Sequence, residues 1–465
     1  MIDLDVEINP LTNRVDVGEY YSLCLVYYSK TDNLYPKFIS HIREGLALLS
    51  EEFPWVAGQV QHERCTDQGA NKYKIIPFRE VPCLQVENLL KTSSTDFGRR
   101  SGEKFPMHWI NESHVPIQEP LADSKPSPVM ELKFTRELNV DILTISMSSK
   151  VVDRTGLIMM VRVLAEACRE KKLPSLDVVE STHNNAAFFN NDKKSLRHDR
   201  IPIKFVPDTQ STQSPSYEAK GIDWALFTFD RKAVQYIEDL ALDCDRPSES
   251  FLDMDIDQAF SAFVFRNICC ARDRRLTSGW TARCFRTVDA RGARTQTAEA
   301  EHLRALQHMT CNSYTNPSTM SIETIARDLH KASSPPALSR DVEHFMFNTG
   351  TAIGNPAFIS DAIFNPEQDV AIVSWAEIES SSSDFNLSDS WNVRSIRVPY
   401  HRPASEGLVY FMPRRKEDEM TVALSLRKTD LDMLMGLTDW TDLTPGLSPK
   451  KKYLALFLFD WWTVE

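Results

Sequence analysis

The residues best suited to chemistry lie in a short polar segment between two apolar stretches in the first half of the chain. This segment, residues 148–156, contains Ser149, Lys150, Asp153 and Gly156. A serine hydroxyl can position or polarise a substrate through a hydrogen bond, but it is not a base at neutral pH. Lys150 could act as a base only with a strongly lowered pKa. On a strand, its side chain would also point away from that of Ser149.

Motifs that mark other kinds of active site are missing from the sequence. It contains no glycine-rich phosphate loop, no Gly-x-Ser-x-Gly elbow and no His-Glu-x-x-His zinc motif. The nine cysteines are scattered, and the adjacent pair Cys269-Cys270 cannot form an ordinary disulfide. We therefore expect no metal site and a reducing, cytoplasmic location.

Composition narrows the class of protein further. A chain of 465 residues is too long for one ordinary core, so two domains are expected. The net charge of -12 argues against binding nucleic acid, and no apolar run approaches the roughly 20 residues that span a bilayer. The N-terminal residues 1–10 carry acids rather than the basic start of a signal peptide. The basic clusters 272–275 and 450–452 are interpreted as solvated helix ends or turns. We expect a monomer without membrane or nucleic-acid partners.

Apolar patterns place the polar segment between a strand and a helix. Residues 139–148 predict an apolar strand, and a helix is expected from about Leu157 to Glu170. Earlier, residues 19–29 predict a strand and residues 35–51 a helix that ends before Pro54. The polar segment therefore forms a strand–turn–helix connection.

The chain changes character between residues 181 and 220, which are rich in asparagine, serine and proline. We therefore divide it into a first domain over 1–185, a linker over 186–220 and a second domain over 221–465. Probable strands alternate with helices and turns in the second part. The pattern favours mixed α/β sheets covered by helices in both domains.

Several segments together resemble the fungal BAHD acyltransferases, in particular the trichothecene 3-O-acetyltransferase branch. They occur in the order and at the spacing found in that family, at residues 53–60, 257–266, 288–294, 407–413 and 422–426. The resemblance implies two chloramphenicol-acetyltransferase-like domains with a central channel that holds a small hydrophobic natural product. It says less about the reaction, because function depends on the site.

The catalytic His-x-x-x-Asp-Gly motif of that family is changed here. Asp153 and Gly156 hold their places, but Ser149 stands where the histidine would be and Arg154 replaces the first glycine. In the family the imidazole removes the acceptor proton during attack on an acyl-CoA thioester, a contribution of about 10²–10⁴-fold in rate. The resemblance implies that Asp153 is a structural anchor, with Arg291 as its ion-pair partner.

The second family motif, Asp-Phe-Gly-Trp-Gly, is also degenerate. Asp384 and Phe385 remain, whereas Asn386, Leu387 and Ser388 replace the residues that follow. Lost glycines change the backbone conformations open to the loop, which in the family supports the acyl-CoA site. We expect Asp384 to form a structural ion pair and acetyl-CoA to bind weakly or not at all.

Two further segments resemble family elements near the acceptor pocket. Ser374-Trp375 is similar to the family's Ser/Thr-Trp pair, so one of these residues either faces substrate or packs in the core. His108 lies in a segment that resembles a loop reaching the channel in the family. It is the one histidine considered as a replacement base, although a single histidine there is more often a bystander.

Three functions are compatible with these residues. The first is an enzyme repurposed for cyclisation, a pericyclic step or isomerisation without any cofactor, in which Ser149, Ser374 and Trp375 orient the substrate. The second is an acyl-CoA-dependent O- or N-acyltransferase with a non-standard base. The third is a catalytically inactive binding protein. A product of unchanged mass formed without CoA would indicate the first function. Release of CoA would indicate the second, and neither outcome would indicate the third.

Overall fold

The computed structural model describes most of the apolar segments of both halves. The described residues are 6–7, 19–28, 35–64, 71–90, 110, 112–117, 126–170, 173, 205–207, 221–242, 254–291, 307–341, 358–360, 364–378, 385, 393–399, 406–414 and 419–444.

Strands and two long helices make up the first half of the chain. The strands are β1 (Val6–Glu7), β2 (Tyr20–Tyr28), β3 (Gln59–Arg64), β4 (Asn71–Ile76), β5 (Cys83–Asn88), β6 (Ser127–Pro128), β7 (Met130–Glu137) and β8 (Val140–Ser148). The helices are α1 (Tyr35–Glu52) and α2 (Arg154–Glu170), with short 3-10 turns at Pro54–Ala57 and Glu112–His114.

The second half again mixes strands and helices. Its strands are β9 (Phe205–Pro207), β10 (Ile222–Phe229), β11 (Thr281–Asp289), β12 (Gln307–Thr315), β13 (Phe358–Ser360), β14 (Val370–Ser374), β15 (Val393–Arg397), β16 (Leu408–Phe411) and β17 (Met420–Arg427). Its helices are α3 (Arg231–Leu242), α4 (Ile256–Arg272), α5 (Ile322–Ser333), α6 (Lys428–Leu434) and α7 (Thr438–Thr441), with a 3-10 turn at Pro317–Thr319.

A five-stranded mixed sheet, in the order β15-β2-β8-β7-β5, organises the first half. Strand β8 lies at its centre, and all nine of its residues are buried. Leu143, Ile145 and Met147 of this strand pack in the core of the first half, and Ser146 on the opposite face is hydrogen-bonded to Ser22 at 2.7 Å. Helix α1 packs against α2, which follows β8 directly.

Helix α2 begins three residues earlier than its apolar pattern predicts. The Gly156 N–H donates to Oδ1 of Asp153 at 2.8 Å, and the Leu157 N–H donates to the Asp153 carbonyl oxygen at 2.9 Å. An aspartate side chain that accepts from the first turn is a strong N-cap. The cap starts the helix at Arg154, ahead of the first apolar residue of its buried face.

A six-stranded mixed sheet, in the order β10-β17-β16-β14-β11-β12, organises the second half. One face contributes Val370 and Ile372 to a core shared with the helices of this half. The opposite face contributes Val373 and Trp375 to the core of the first half. The alternation of side chains along β14 therefore joins the two halves through one apolar layer.

Strand β15 crosses from the second half of the sequence into the sheet of the first half. It pairs antiparallel with β2, with Ile396 opposite Leu25. The mixed sheets and covering helices agree with the expected fold class. The division into 1–185, 186–220 and 221–465 stays a prediction, since only 205–207 of the expected linker is described and β15 belongs to the first sheet.

The interpretation of residues 272–275 as a solvated basic cluster is wrong for Arg272 and Arg275, whereas Arg274 is exposed. Arg272 is fully buried and donates to the carbonyl oxygens of Gln368 and Asp369 at 2.9 and 3.0 Å. Arg275 donates to Glu406 at 2.9 Å and to both carboxylate oxygens of Asp430. Buried backbone oxygens and carboxylates require donors, so these arginines belong to the interior. Residues 450–452 lie outside the described part of the chain.

The described residues contain no helix long and apolar enough to cross a bilayer and no cluster of metal-ligating side chains.

Gly407 packs against this buried arginine network in a conformation that favours glycine. Its φ is +83°, and an added Cβ would lie 2.5 Å from the Asp369 carbonyl oxygen. We predict that Gly407→Ala lowers the free energy of unfolding by about 2–5 kcal/mol, from left-handed strain and overpacking together. Gly221→Ala is the matched control, because Gly221 has φ +82° and no atoms near the added Cβ. Thermal unfolding of both variants tests this, and equal losses of stability would contradict it.

Candidate functional site

The turn between β8 and α2 is fixed to the second half of the chain by a buried ion pair. Nη1 and Nη2 of Arg291 donate to Oδ2 and Oδ1 of Asp153, both at 2.9 Å. Nη1 also donates to Asp289 Oδ1 at 2.8 Å. Burial lowers the pKa of Arg291, but Asp153 and Asp289 outweigh it and raise the pKa above its ordinary value. The ion pair expected from the sequence is therefore present, and the Asp153 carboxylate is fully engaged.

Ser149 lies in the same turn and is half-buried. Its N–H and its hydroxyl both donate to the carbonyl oxygen of Glu19, at 2.9 and 3.0 Å. Since the neighbouring strands pair Tyr20 with Ser148, this bond extends the β2–β8 ladder into the turn. The hydroxyl hydrogen is thus committed to the backbone.

Arg154 extends from the start of α2 to the second half of the chain. Its Nε donates to Gln307 Oε1 and its Nη2 to the Thr287 carbonyl oxygen, both at 3.3 Å. Its guanidinium carbon lies 6.0 Å from the centroid of the Trp375 ring. Arg154, which the sequence analysis aligns with the family's first glycine, therefore bridges the two halves of the chain.

Tyr21 and Trp375 complete this junction. Their rings meet edge to face, with centroids 6.0 Å apart, and Gln307 Nε2 donates to the Tyr21 hydroxyl oxygen at 3.3 Å. Desolvation raises the pKa of Tyr21, while Arg154 acts in the opposite direction. Tyr21 is consequently a neutral hydroxyl at physiological pH.

Ser374, the last residue of β14, and Trp375, which follows the strand, lie on opposite faces of the sheet. Ser374 alternates with Val370 and Ile372, which pack with the helices of the second half, and its Oγ accepts from the Ala376 N–H at 3.2 Å. Trp375 packs in the core of the first half and is 3% exposed. The structure therefore brings Trp375 close to the β8–α2 turn, whereas Ser374 bonds within its own turn.

Lys150 does not stand beside Ser149 as a base. Its ammonium lies 4.7 Å from the centroid of the Tyr73 ring on β4, a cation–π contact. Phe385, from the second motif, is fully buried with its ring 6.5 Å from that of Phe38. The other predicted site residues lie outside the described part of the chain, namely His108, Asp384, Asn386, Leu387 and Ser388.

The sequence analysis did not single out Tyr21, Gln307 or Glu377. Glu377 is exposed, yet desolvation raises the pKa of its carboxyl, Asp257 raises it further, and Arg154 lowers it. An accessible carboxylate that is still desolvated is typical of a residue in a cleft. Nothing in the linear spacing connects residues 21, 154, 307 and 377, because the contacts between halves bring them together.

Two mixed α/β halves joined at a β8–α2 turn define the two-domain BAHD acyltransferase fold. Residues 115–436 match the Transferase family, and residues 20–168 match the trichothecene 3-O-acetyltransferase-like N-terminal domain. The chain belongs to the Transferase family.

Relatives match the chain over nearly its whole length. It is 28% identical to trichothecene 3-O-acetyltransferase TRI101 of Fusarium sporotrichioides, over 94% of this chain and 96% of that protein. It is 21% identical to a trichothecene 3-O-acetyltransferase of Saccharomyces cerevisiae, over 91% of each chain.

Solved structures show the same extent of similarity. The crystal structure of Fusarium sporotrichioides TRI101 complexed with coenzyme A and T-2 superposes with a TM-score of 0.80 at 26% identity, covering 94% of this chain and 98% of that one. Vinorine synthase has the same fold, with a TM-score of 0.61 at 12% identity over 95% and 94% of the two chains.

We predict that Asp153→Ala lowers the free energy of unfolding by about 3–5 kcal/mol, because it leaves the Arg291 guanidinium buried without its main partner. The control is Asp289→Ala, which removes the other carboxylate of the pair from a site where it is 34% exposed and should cost less. Denaturant unfolding of the two variants tests this. Unchanged stability of Asp153→Ala with lost turnover would instead indicate a direct chemical role for Asp153.

Proposed function

We propose that this protein is an acyl-CoA-dependent acyltransferase that acylates a hydroxyl or amine group of a small hydrophobic molecule. The observation that carries the proposal is the extent of the likeness to TRI101, which covers both halves and 98% of a chain crystallised with coenzyme A and T-2. At 26% identity, this likeness extends beyond the fold to the sequence. The anchored Asp153–Arg291 turn between the halves agrees with this function.

This proposal reverses the order of the hypotheses drawn from the sequence. The rearrangement hypothesis depended on the loss of the histidine at Ser149 and on the altered loop at Asn386–Ser388. The comparisons favour acyl transfer, and they give no support to a cyclase or pericyclase. An epimerization domain of tyrocidine synthetase B has the same fold at a TM-score of 0.57 and 7% identity, so the fold by itself leaves the reaction open.

Acyl transfer without an imidazole at position 149 depends first on orientation. A thioester and an acceptor held in attacking geometry gain much of the acceleration from proximity alone. The rigid frame for this geometry is the β8–α2 turn, where Ser149 bonds to the Glu19 carbonyl oxygen and Asp153 to Arg291. In this proposal acyl-CoA is a co-substrate, and we replace the expectation of weak acetyl-CoA binding by saturable binding.

We predict that incubation with acetyl-CoA and deoxynivalenol, the ligand of one Fusarium graminearum TRI101 structure, or with a panel of small alcohols and amines, releases CoA in equal amount to an acetylated product. Thiol assay and mass spectrometry measure the two. Calorimetric titration with acetyl-CoA should show saturable binding. A product of unchanged mass that needs no CoA would support rearrangement instead, and neither CoA release nor any product would indicate a binding protein.

We predict that Ser149→Ala lowers kcat/KM by less than about tenfold. The hydroxyl donates to the Glu19 carbonyl oxygen, and such a bond contributes roughly 0.5–1.5 kcal/mol, where about 1.4 kcal/mol corresponds to tenfold in rate. The Ser149 N–H keeps its own bond to Glu19 in the variant. Steady-state kinetics with acetyl-CoA tests this, and a loss of a thousandfold would assign the hydroxyl a direct part in the chemistry.

A further inference from the structure

Acyl transfer to a hydroxyl requires a group that removes the acceptor proton, and the β8–α2 turn does not provide one. The Ser149 hydroxyl donates to a backbone carbonyl, and Asp153 is held by two hydrogen bonds from Arg291. Both oxygens of that carboxylate are already occupied by the Arg291 guanidinium. The base must therefore come from outside the motif that supplies it in the family.

The histidines whose side chains the structure describes lie on other parts of the fold. His114 bonds to Glu137, which lies seven residues along β7 from Met130, opposite Met147 near the end of β8. At about 3.3 Å per residue, this pair is roughly 23 Å from the turn. His308 follows Gln307 on β12 and so points to the opposite face from the residue that contacts Arg154.

The two remaining described histidines are on helices. His41 lies in α1, more than two helical turns before the end of that helix. His330 lies in α5, where its Nδ1 is 2.9 Å from Gln258 Oε1. Neither element carries a residue of the junction formed by Tyr21, Arg154, Gln307 and Trp375.

Glu377 lies at that junction. It is part of the turn that follows β14, which is closed by the bond from the Ile378 N–H to the Trp375 carbonyl oxygen. The Trp375 ring contacts Tyr21, two residues after the Glu19 carbonyl that holds Ser149. It also lies near Arg154, five residues after Ser149. Because β11 and β14 run parallel, Asp289 at the end of β11 and this turn after β14 lie at the same end of the sheet.

We propose that Glu377 is the general base of the acyl transfer, an inference that depends on the proposed function. Its carboxylate is accessible to solvent, as an acceptor group requires, and it extends from a rigid turn whose flanking residues Trp375 and Ile378 are buried. The acceptor proton passes to the carboxylate while the acceptor oxygen or nitrogen bonds to the thioester carbonyl carbon. The carbon–sulfur bond then breaks with its electron pair on sulfur, and the carboxyl group returns the proton to the CoA thiolate.

Arg154 has a separate, positioning role in this proposal. Desolvation and the nearby carboxylates Asp257, Asp255 and Asp289 raise the pKa of Glu377, and the Arg154 guanidinium opposes them. A base with a raised pKa is stronger, and the guanidinium favours its ionised form. The arginine that replaces the family's glycine thus adjusts the group that replaces the family's histidine.

Kinetic pH profiles of variants of the 465-residue chain test the inference. For wild type, kcat/KM for CoA release from acetyl-CoA should fall as the pH drops through the raised pKa of Glu377, because only the carboxylate form is a base. Glu377→Gln should lower kcat/KM by about 10²-fold or more and abolish this acid limb. Arg154→Gln should move the acid limb to higher pH, and Arg154→Lys should leave it near its wild-type position.

The controls separate the base from a structural role and from the proposed function itself. Glu51→Gln, an exposed change in α1, should keep the wild-type profile, and thermal unfolding should show that Glu377→Gln is folded. Carbodiimide labelling of Glu377, followed by peptide mass spectrometry against pH, reports its titration without any acceptor. An acid limb that persists in Glu377→Gln, or that disappears in His108→Asn instead, would overturn the inference. Wild type that releases no CoA while Glu377 still titrates as described would refute the proposed function, and with it the assignment of a base.

Discussion

The ion pair between Asp153 and Arg291 is the interaction on which the arrangement of the site depends. Its two charges come from opposite halves of the chain, and both are buried. A buried carboxylate that also caps a helix connects three elements: the end of β8, the start of α2 and the C-terminal end of β11 in the second sheet. Arg154, the residue after Asp153, starts α2 from that fixed turn and bonds to Gln307 and Thr287 of the second half.

The chemistry of the turn has changed while its support has stayed. The residue after Asp153, which the motif comparison aligns with a glycine, is here a long cation. Arg154 bonds to Gln307 and Thr287 and approaches Trp375. A site that lost only its histidine would be impaired. A site that also gained Arg154 beside the desolvated carboxylate of Glu377 has a new arrangement of charge on the same fold. This favours a base at a new position over the loss of any base.

The sequence predicted the strand, the helix and the ion pair that support this site, but it did not predict the contacts of Arg154 and Glu377. The apolar runs predicted β8 and α2, and family spacing pointed to the pairing of Asp153 with Arg291, which the structure contains. The contacts of Arg154 and Glu377 depend on how the two sheets pack together, and the hydrophobic periodicity of a segment carries no information about that packing. The burial of Arg272 was missed for a related reason, since short basic runs resemble solvated ends unless the carbonyl groups they bond are known.

The crossing of β15 into the first sheet has a consequence for how the protein is made. Strand β2 ends at residue 28, and the partner on its open edge ends at residue 397. At a translation rate of about 5–20 residues per second, the ribosome takes roughly 20–70 s to supply the 369 residues between these ends (397 minus 28). During this time the edge of β2 has no β15 to cover it, and an apolar edge is a template for pairing with other chains. The edge of β2 therefore stays without this partner until residue 397 has been made, and a fragment that stops before residue 393 would keep the edge open permanently.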